Sequence, residues 1–236
     1  MGSAVKDKIF SGIVYFEKEG RQNLPYVLNA VKNAFRKRED IRACKIVIFT
    51  SEGQGPAIAY TKLKQYKPRI IAVTFQPGFS IKRTTSDGTE VETPIGLSND
   101  LKKFFDGVEV PVLSSKLPLD GFDGASSIRQ DLKLIKDVLS LFGGGFSLCV
   151  QAVLQACDMG AVGIGERVVV ITGDCAALVT ASNTAKFLSV EDGLSINEIL
   201  CKPRNLSITR RPAKQPIKLS GELFPVGKEV KLLPPK

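Results

Sequence analysis

Residues 45–56 read Lys-Ile-Val-Ile-Phe-Thr-Ser-Glu-Gly-Gln-Gly-Pro, an apolar run that ends in a glycine-rich turn. Such a run predicts a strand that is buried on both faces, as parallel strands are. Residues 70–74 repeat the apolar pattern, and Ile58, Ala59 and Leu63 between the two runs have helical spacing. Strand, helix and strand in this order predict a parallel sheet with right-handed crossovers.

The same α/β pattern extends in both directions from this unit. Helices are expected after Asn23, which we take as an N-cap before Pro25, and around 58–63, 98–105, 128–142 and 146–159. Strands are expected at 13–16, 46–50, 70–74, 108–113, 167–172, 177–181 and 196–203.

Two segments interrupt the pattern. Residues 75–97 form a polar insertion rich in Thr, Gly and Pro, and residues 82–88 at its centre are typical of a hairpin turn. Residues 205–236 are basic and rich in proline, which predicts an extended tail. The chain is therefore expected to comprise one α/β domain, residues 1–204, followed by the tail.

The formal charge of +9 is concentrated in that tail. Residues 202–236 carry nine basic and two acidic side chains, so the remainder of the chain has a charge of only +2. The chain contains no histidine, which excludes Ser-His-Asp and Cys-His catalysis and zinc sites that use imidazole. Any chemistry must therefore use carboxylates, Lys, Cys, hydroxyls, backbone amides or a bound cofactor.

The five cysteines are widely spaced and odd in number, a pattern typical of a reducing, cytoplasmic compartment rather than of a disulfide framework. Residues 138–157 include no charged side chain over a length that could span a bilayer. Three consecutive glycines and several Ser and Gln residues interrupt them, so we interpret this segment as a buried helix.

Ligands of an open parallel sheet bind beyond the carboxyl ends of its strands. Three segments are expected to meet at this edge: residues 50–55, 74–79 and 172–176. The first has the form of a phosphate cradle, because glycines allow backbone N–H groups to approach an anion at a helix N-terminus. Gly53 and Gly55 fit a simple tight turn equally well.

Several further segments follow one another in a characteristic order between about Ile13 and Arg204. No single one is decisive, but their order and spacing together are specific. They comprise Tyr15-Phe-Glu17 with Gly20 and Asn23; Ile48 to Gly53; Val73-Thr74 with Pro77-Gly78-Phe79; Gly145-Phe146 with Cys149-Val150; Ala156 with Asp158 and Gly160; Glu166 to Ile171; and Glu198 to Arg204.

This series resembles a family of small stand-alone proteins similar to the C-terminal α/β domain of pyruvate kinase. The resemblance implies a three-layer α/β/α sandwich with a mostly parallel sheet and no pyruvate kinase activity, since the chain has no room for the catalytic barrel. It also implies a homo-oligomer that binds flavin mononucleotide (FMN) or another phosphorylated small molecule. The residues expected to bind this ligand are Thr50, Ser51, Gly53, Gln54, Gly55, Thr74, Pro77, Gly78, Phe79, Thr172 and Gly173.

The chain departs from the family at several of these positions. Relatives tend to have Ser in place of Glu52, Lys in place of Ser147 and an acid in place of Gln151. Their glycine-rich loop after Thr172 is also longer by about four residues. Asp174 consequently faces the expected phosphate position, and a carboxylate there costs roughly 1 kcal/mol at water-like screening. The inherited site is therefore altered or lost.

Three further interpretations stay open. Cys175 and Asp174 are weak catalytic candidates, Cys175 as a nucleophile or redox thiol and otherwise as a small buried residue. Asp174 and Glu52 could share a divalent cation. The tail could contact nucleic acid, but it has one aromatic residue, and its many apolar residues favour packing on a subunit or partner. The alternative to ligand binding is a non-catalytic assembly protein whose ligand site is vestigial.

Overall fold

The structure is a computed structural model that describes residues 12–84, 89–120 and 130–209. Within these residues, seven strands form one mixed sheet in the order β1-β9-β8-β7-β2-β3-β6, and β4 and β5 form a separate hairpin. The strands are β1 Val14–Lys18, β2 Lys45–Phe49, β3 Ile70–Thr74, β4 Ser80–Thr84, β5 Glu90–Pro94, β6 Val112–Ser114, β7 Arg167–Ile171, β8 Ala176–Thr180 and β9 Ser195–Asn205.

The sheet is mostly parallel, as the apolar runs predict. Strand β8 runs antiparallel to both of its neighbours, β7 and β9, and the other pairs are parallel. Strand β7 lies at the centre, and β2 lies between β7 and β3. The strand order reverses between β2 and β7, where an α/β sheet opens its binding crevice.

Helices cover both faces of the sheet. The side chains of β2 alternate between two apolar clusters, one shared with α1 and α3 and the other shared with α6. Helix α6 is buried almost all round, which accounts for the uncharged residues 144–157, whereas residues 138–142 precede this helix and are not buried. The helices are α1 Leu24–Lys37, α2 Glu39–Arg42, α3 Gln54–Leu63, α4 Asn99–Gly107, α5 Gln130–Leu139 and α6 Gly144–Asp158.

The predicted insertion at 75–97 contains the β4–β5 hairpin. Its strands pair antiparallel from Ser80 opposite Pro94 to Thr84 opposite Glu90. The Ile95 N–H donates to the Phe79 carbonyl at 2.8 Å and closes the base of the hairpin. The predicted turn at 82–88 lies largely outside the described residues.

The prediction of a strand at 108–113 is wrong in its bounds. Glu109 has a left-handed backbone with φ of 56°, so the chain turns directly after α4. Pro111 accepts a hydrogen bond from the Ala72 N–H at 2.9 Å, but proline has no N–H to donate in return. Strand β6 therefore begins only at Val112.

Asn23 occupies the N-cap position of α1, as predicted, but not as a side-chain cap. The Asn23 side chain makes no capping bond to α1, and its Nδ2 instead donates to the Lys18 carbonyl at 2.7 Å. Towards the C-terminal end of the described residues, β9 continues to Asn205, and Ile208 and Thr209 are hydrogen bonded to the domain. The first residues of the predicted tail thus belong to the body of the protein.

No helix among the described residues combines the length and the apolar character that crossing a bilayer requires.

Candidate functional site

The predicted site residues lie at the carboxyl ends of three neighbouring strands. Thr50 follows β2, Thr74 ends β3, and Thr172 follows β7. The Thr50 N–H donates to the Val73 carbonyl at 2.9 Å, which joins the first two segments. Because β2 lies between β3 and β7, the structure brings all three predicted segments to one edge of the sheet.

The turn between β2 and α3 leaves the first turn of the helix without a side-chain cap. Thr50 Oγ1 accepts the Gly53 N–H at 2.9 Å, and Gly53, the N-cap residue, has a φ of +92°. Gln54 and Gly55 follow in the first helical turn, where a helix offers no acceptor to their N–H groups. Gly53 has no side chain to cap them. These two amides can therefore donate to an anion.

A buried hydroxyl lies beside this turn. Ile48 of β2 and Ala72 of β3 belong to the cluster on the α3 side of the sheet. Side chains alternate along a strand, so Thr50 and Thr74, two residues further on, lie on that same side. Thr74 is 5% exposed, and its Oγ1 has no hydrogen-bond partner among the described residues. A buried hydroxyl without a partner is costly, so it marks a position suited to a polar group.

Aromatic rings line the adjoining segment. The half-buried rings of Phe75 and Phe79 stack with centroids 4.3 Å apart and an interplanar angle of 10°. Phe49, the last residue of β2, packs edge-on against Phe75 at 5.0 Å. The predicted residues Pro77 and Gly78 lie between Phe75 and Phe79 in the sequence and are exposed. This aromatic pair can support a planar ring.

The turn between β7 and β8 has the opposite electrostatic character. Asp174 is only 6% exposed and accepts the Gly20 N–H at 2.8 Å. Burial raises the pKa of Asp174, although the hydrogen bond from Gly20 opposes this rise. A Cβ on Gly145 would overlap the Asp174 carboxylate, so this carboxylate lies directly against the first turn of α6. An anionic ligand at Thr172 and Gly173 would have to approach a carboxyl group.

A second buried carboxylate, Glu19, was not predicted. It is 4% exposed and accepts the N–H groups of Gly144 at 3.3 Å, Ile208 at 2.8 Å and Thr209 at 2.9 Å. The Thr209 hydroxyl also donates to it. Glu19 thus occupies the N-terminus of α6, the positive end of the helix, as a bound anion would. The segment after β9 is fixed to the domain by the same carboxylate.

Arg21 connects the two halves of this edge. A Cβ on Gly173 would lie 3.1 Å from the Arg21 Cα, so only a small residue lets these two turns approach so closely. Arg21 Nη1 lies 4.0 Å from a carboxylate oxygen of Glu52 on the β2–α3 turn. The Arg21 side chain is half exposed and is the cation next to the predicted phosphate cradle.

The cysteines offer no reactive thiol at this site. Cys175 is fully buried, and burial raises its pKa far above the ordinary value. Burial similarly raises the pKa of Cys149, and it raises that of Cys201 to about 12. Since the thiolate is the nucleophile, these findings favour the interpretation of Cys175 as a small core residue. All five cysteines are free.

Asp174 and Glu52 do not form a cation site with a third ligand. Asp174 binds the Gly20 N–H and is influenced electrostatically by Glu19, whereas Glu52 lies beside Arg21. Among the side chains that the structure describes, no group of three or more His, Cys, Asp or Glu residues is arranged to hold a metal ion.

Polar side chains also form a buried stripe along α6. Ser147, Gln151 and Gln155 follow one another at intervals of one helical turn, and each is at most 3% exposed. Gln155 Nε2 donates to the carbonyls of Thr74 and Ser115, both at 2.9 Å, and Gln151 Oε1 accepts the Leu119 N–H at 3.1 Å. Gln151 and Gln155 thus bind the segment after β6.

No protein-family model matches the chain.

Proposed function

We propose that this protein binds a phosphorylated small molecule, with FMN as the leading candidate, at the carboxyl edge of its sheet. The observation that supports this most is the N-terminus of α3, which has no side-chain cap, together with the unpartnered Thr74 hydroxyl on the same side of the sheet. Helix N-termini with uncapped amides bind phosphate well. The resemblance to the pyruvate kinase C-terminal-like proteins favours the same ligand class.

The residues present fit FMN at one side of the edge only. Gln54, Gly55 and the half-buried Ser51 would hold the phosphate, with Arg21 as a cation beside Glu52 on the same turn. The Phe75–Phe79 stack would support the flavin ring. The turn at Thr172 and Gly173 does not fit a phosphate, because the carboxylates of Glu19 and Asp174 lie there.

A bound flavin would supply redox chemistry that the chain itself lacks. The chain's own contribution would be to orient the ligand through backbone amides and to cover one face of its ring. The proposal therefore concerns binding and names no substrate or reaction.

The first prediction uses a single charge placed at the phosphate cradle. Gln54→Glu adds a carboxylate to the first turn of α3, where it favours the helix and repels a phosphate. We expect FMN affinity to fall about fivefold, since roughly 1 kcal/mol of repulsion acts at about 4 Å in water-like surroundings. Fluorescence anisotropy of the flavin gives the dissociation constant.

Two controls accompany this titration. Gln65→Glu makes the same change at an exposed position beyond the other end of α3 and should leave FMN affinity unchanged. Riboflavin, which lacks the phosphate, should bind equally to the wild type and to both variants. If FMN does not bind to the wild type, or if both variants weaken it alike, the proposed site is wrong.

A second candidate function is assembly without a small ligand. The observation that favours it is Glu19, which already occupies the N-terminus of α6. In that case the wild type would bind neither FMN nor inorganic phosphate, while sedimentation of the full chain would show a stable homo-oligomer. A ligand-free monomer would contradict this candidate.

A further inference from the structure

Helix α5 is poorly buried. It comprises ten residues, Gln130–Leu139, and none of them is buried. Helices of this length are marginal in water and depend on tertiary packing of an apolar face. The contacts in the described structure do not supply enough of that packing.

The apolar residues of α5 lie on two faces. Leu132, Ile135 and Leu139 are half-buried, and Leu139 packs against the α6 cluster. A second stripe at helical spacing is more exposed and continues into the three-ten turn Ser140–Phe142, where the Phe142 ring contacts that of Phe146 in α6 with centroids 5.1 Å apart. We name this stripe the outer α5 face; its side chains and their exposed fractions are Leu134 (63%), Val138 (49%), Leu141 (49%) and Phe142 (43%).

The described chain ends beside the outer α5 face. The Gly144 N–H donates to the Thr209 hydroxyl at 2.8 Å, and Gly144 is only two residues from Phe142. Glu19 fixes this end of the chain by accepting the N–H groups of Ile208 and Thr209. Thr209, the last described residue, therefore lies next to one end of the outer α5 face.

The remaining sequence has the composition of a covering segment. Residues 210–236 include an apolar series that begins eight residues after Thr209. Eight extended residues span at most about 29 Å, whereas the eight residues from Leu134 to Phe142 rise only about 12 Å along the helix. The series consists of Ile217, Leu219, Leu223, Phe224, Val226, Val230, Leu232 and Leu233.

We propose that residues 210–236 pack across the outer α5 face of their own chain. An apolar stripe that stays exposed to water is unfavourable, and this segment carries eight apolar residues and is attached beside one end of the stripe. The tether at Thr209 makes the contact intramolecular, which raises the effective concentration of the segment above that of any second copy.

The first test maps this contact by photo-crosslinking in the full-length protein. A benzophenone side chain replaces Val138, and the protein is prepared as a mixture of unlabelled and ¹⁵N-labelled molecules. We expect links to peptides within 210–236 in which both partners carry the same isotope. Links between different isotopes would assign the outer α5 face to a second copy, and links to other peptides would remove residues 210–236 from it; either result overturns the proposal.

The second test needs no crosslink. Val138→Asp places a charge on the outer α5 face. Val190→Asp makes the same change at a fully exposed position in the loop between β8 and β9. By hydrogen exchange, amides at 217–226 should exchange at least tenfold faster in Val138→Asp than in the wild type and should be unaffected by Val190→Asp. Unchanged exchange of β2 and β3 amides verifies that the fold is intact. Equal exchange at 217–226 in the wild type and Val138→Asp would refute the contact.

Discussion

Glu19 and Asp174 are two buried carboxylates at the same end of α6, and their surroundings differ. Glu19 accepts hydrogen bonds from three backbone N–H groups and one hydroxyl, so its charge is well solvated by the protein. Asp174 receives the Gly20 N–H but is largely removed from water, which raises its pKa. A carboxylate with a raised pKa in the folded state lowers stability at neutral pH.

The pH dependence of Asp174 gives a prediction with a definite sign. Its pKa in the folded state lies above the ordinary aspartate value of 3.8, so the folded protein holds this proton more tightly than the unfolded chain. Its contribution to stability is therefore fully present below pH 3.8 and is lost as the pH rises through the folded pKa. Asp174→Asn removes this loss and keeps an acceptor for the Gly20 N–H, so we expect the variant to be more stable than the wild type at pH 7.

Urea unfolding between pH 4 and pH 8 measures this difference. The stability gained by Asp174→Asn should increase with pH and then become constant above the folded pKa. Asp137→Asn, at an exposed residue paired with Lys133, is the control and should follow the wild-type pH profile closely. A gain that is independent of pH would show that Asp174 does not titrate as proposed.

At the scale of single elements, two glycines at the start of α3 have opposite roles. Gly53 has a φ of +92°, and a Cβ there would lie 3.0 Å from Leu97, so Gly53→Ala should destabilise the fold by about 1–2 kcal/mol. Gly55 lies inside the helix, where a Cβ would make ordinary contacts at 3.8 Å with Ile48. Gly55→Ala should stabilise the fold by about 0.5–1 kcal/mol because it lowers the entropy of the unfolded chain.

Urea unfolding of these two variants at one pH tests the backbone argument directly. Each variant serves as the control for the other, since the two residues are separated by a single position in the same turn. Changes of the same sign would contradict the assignment of Gly53 to the left-handed N-cap.

The elements differ in how far the sequence alone could define them. Strands β2, β3 and β7 are apolar on both faces, and their positions follow directly from their sequences. The position of β8 was predicted, but its antiparallel direction depends on the four-residue turn from Thr172 to Cys175. The start of β6 depends on the missing N–H of Pro111 and on the turn at Glu109, which periodicity does not reveal.

The candidate site was predictable only in part, because some of its residues meet only in the tertiary structure. A general rule of parallel sheets places the strand ends together, so Thr50, Thr74 and Thr172 could be named. Glu19 could not, because its partners Gly144 and Thr209 are more than 120 residues away in the sequence. Its acceptor role depends entirely on tertiary structure.

At the scale of the whole molecule, the cysteines are distributed over both layers of the core. Cys44 and Cys201 belong to the cluster beneath α1 and α3, and Cys149 and Cys175 belong to the cluster beneath α6. Cys157 is buried near the end of α6. Reaction of these thiols with a reagent therefore reports the opening of each layer.

Thiol labelling of the folded protein should accordingly be slow, and all five thiols should react once denaturant is added. Burial raises the pKa of Cys175 and Cys201, which lie in different layers, so each needs the core to open before it reacts. If the sheet and its helices unfold as one unit, site-resolved mass spectrometry should find equal labelling rates at both cysteines. Unequal rates would show that the layers open separately. Rapid labelling of Cys175 alone would show a thiol open to solvent, and a nucleophilic role for it would then regain support.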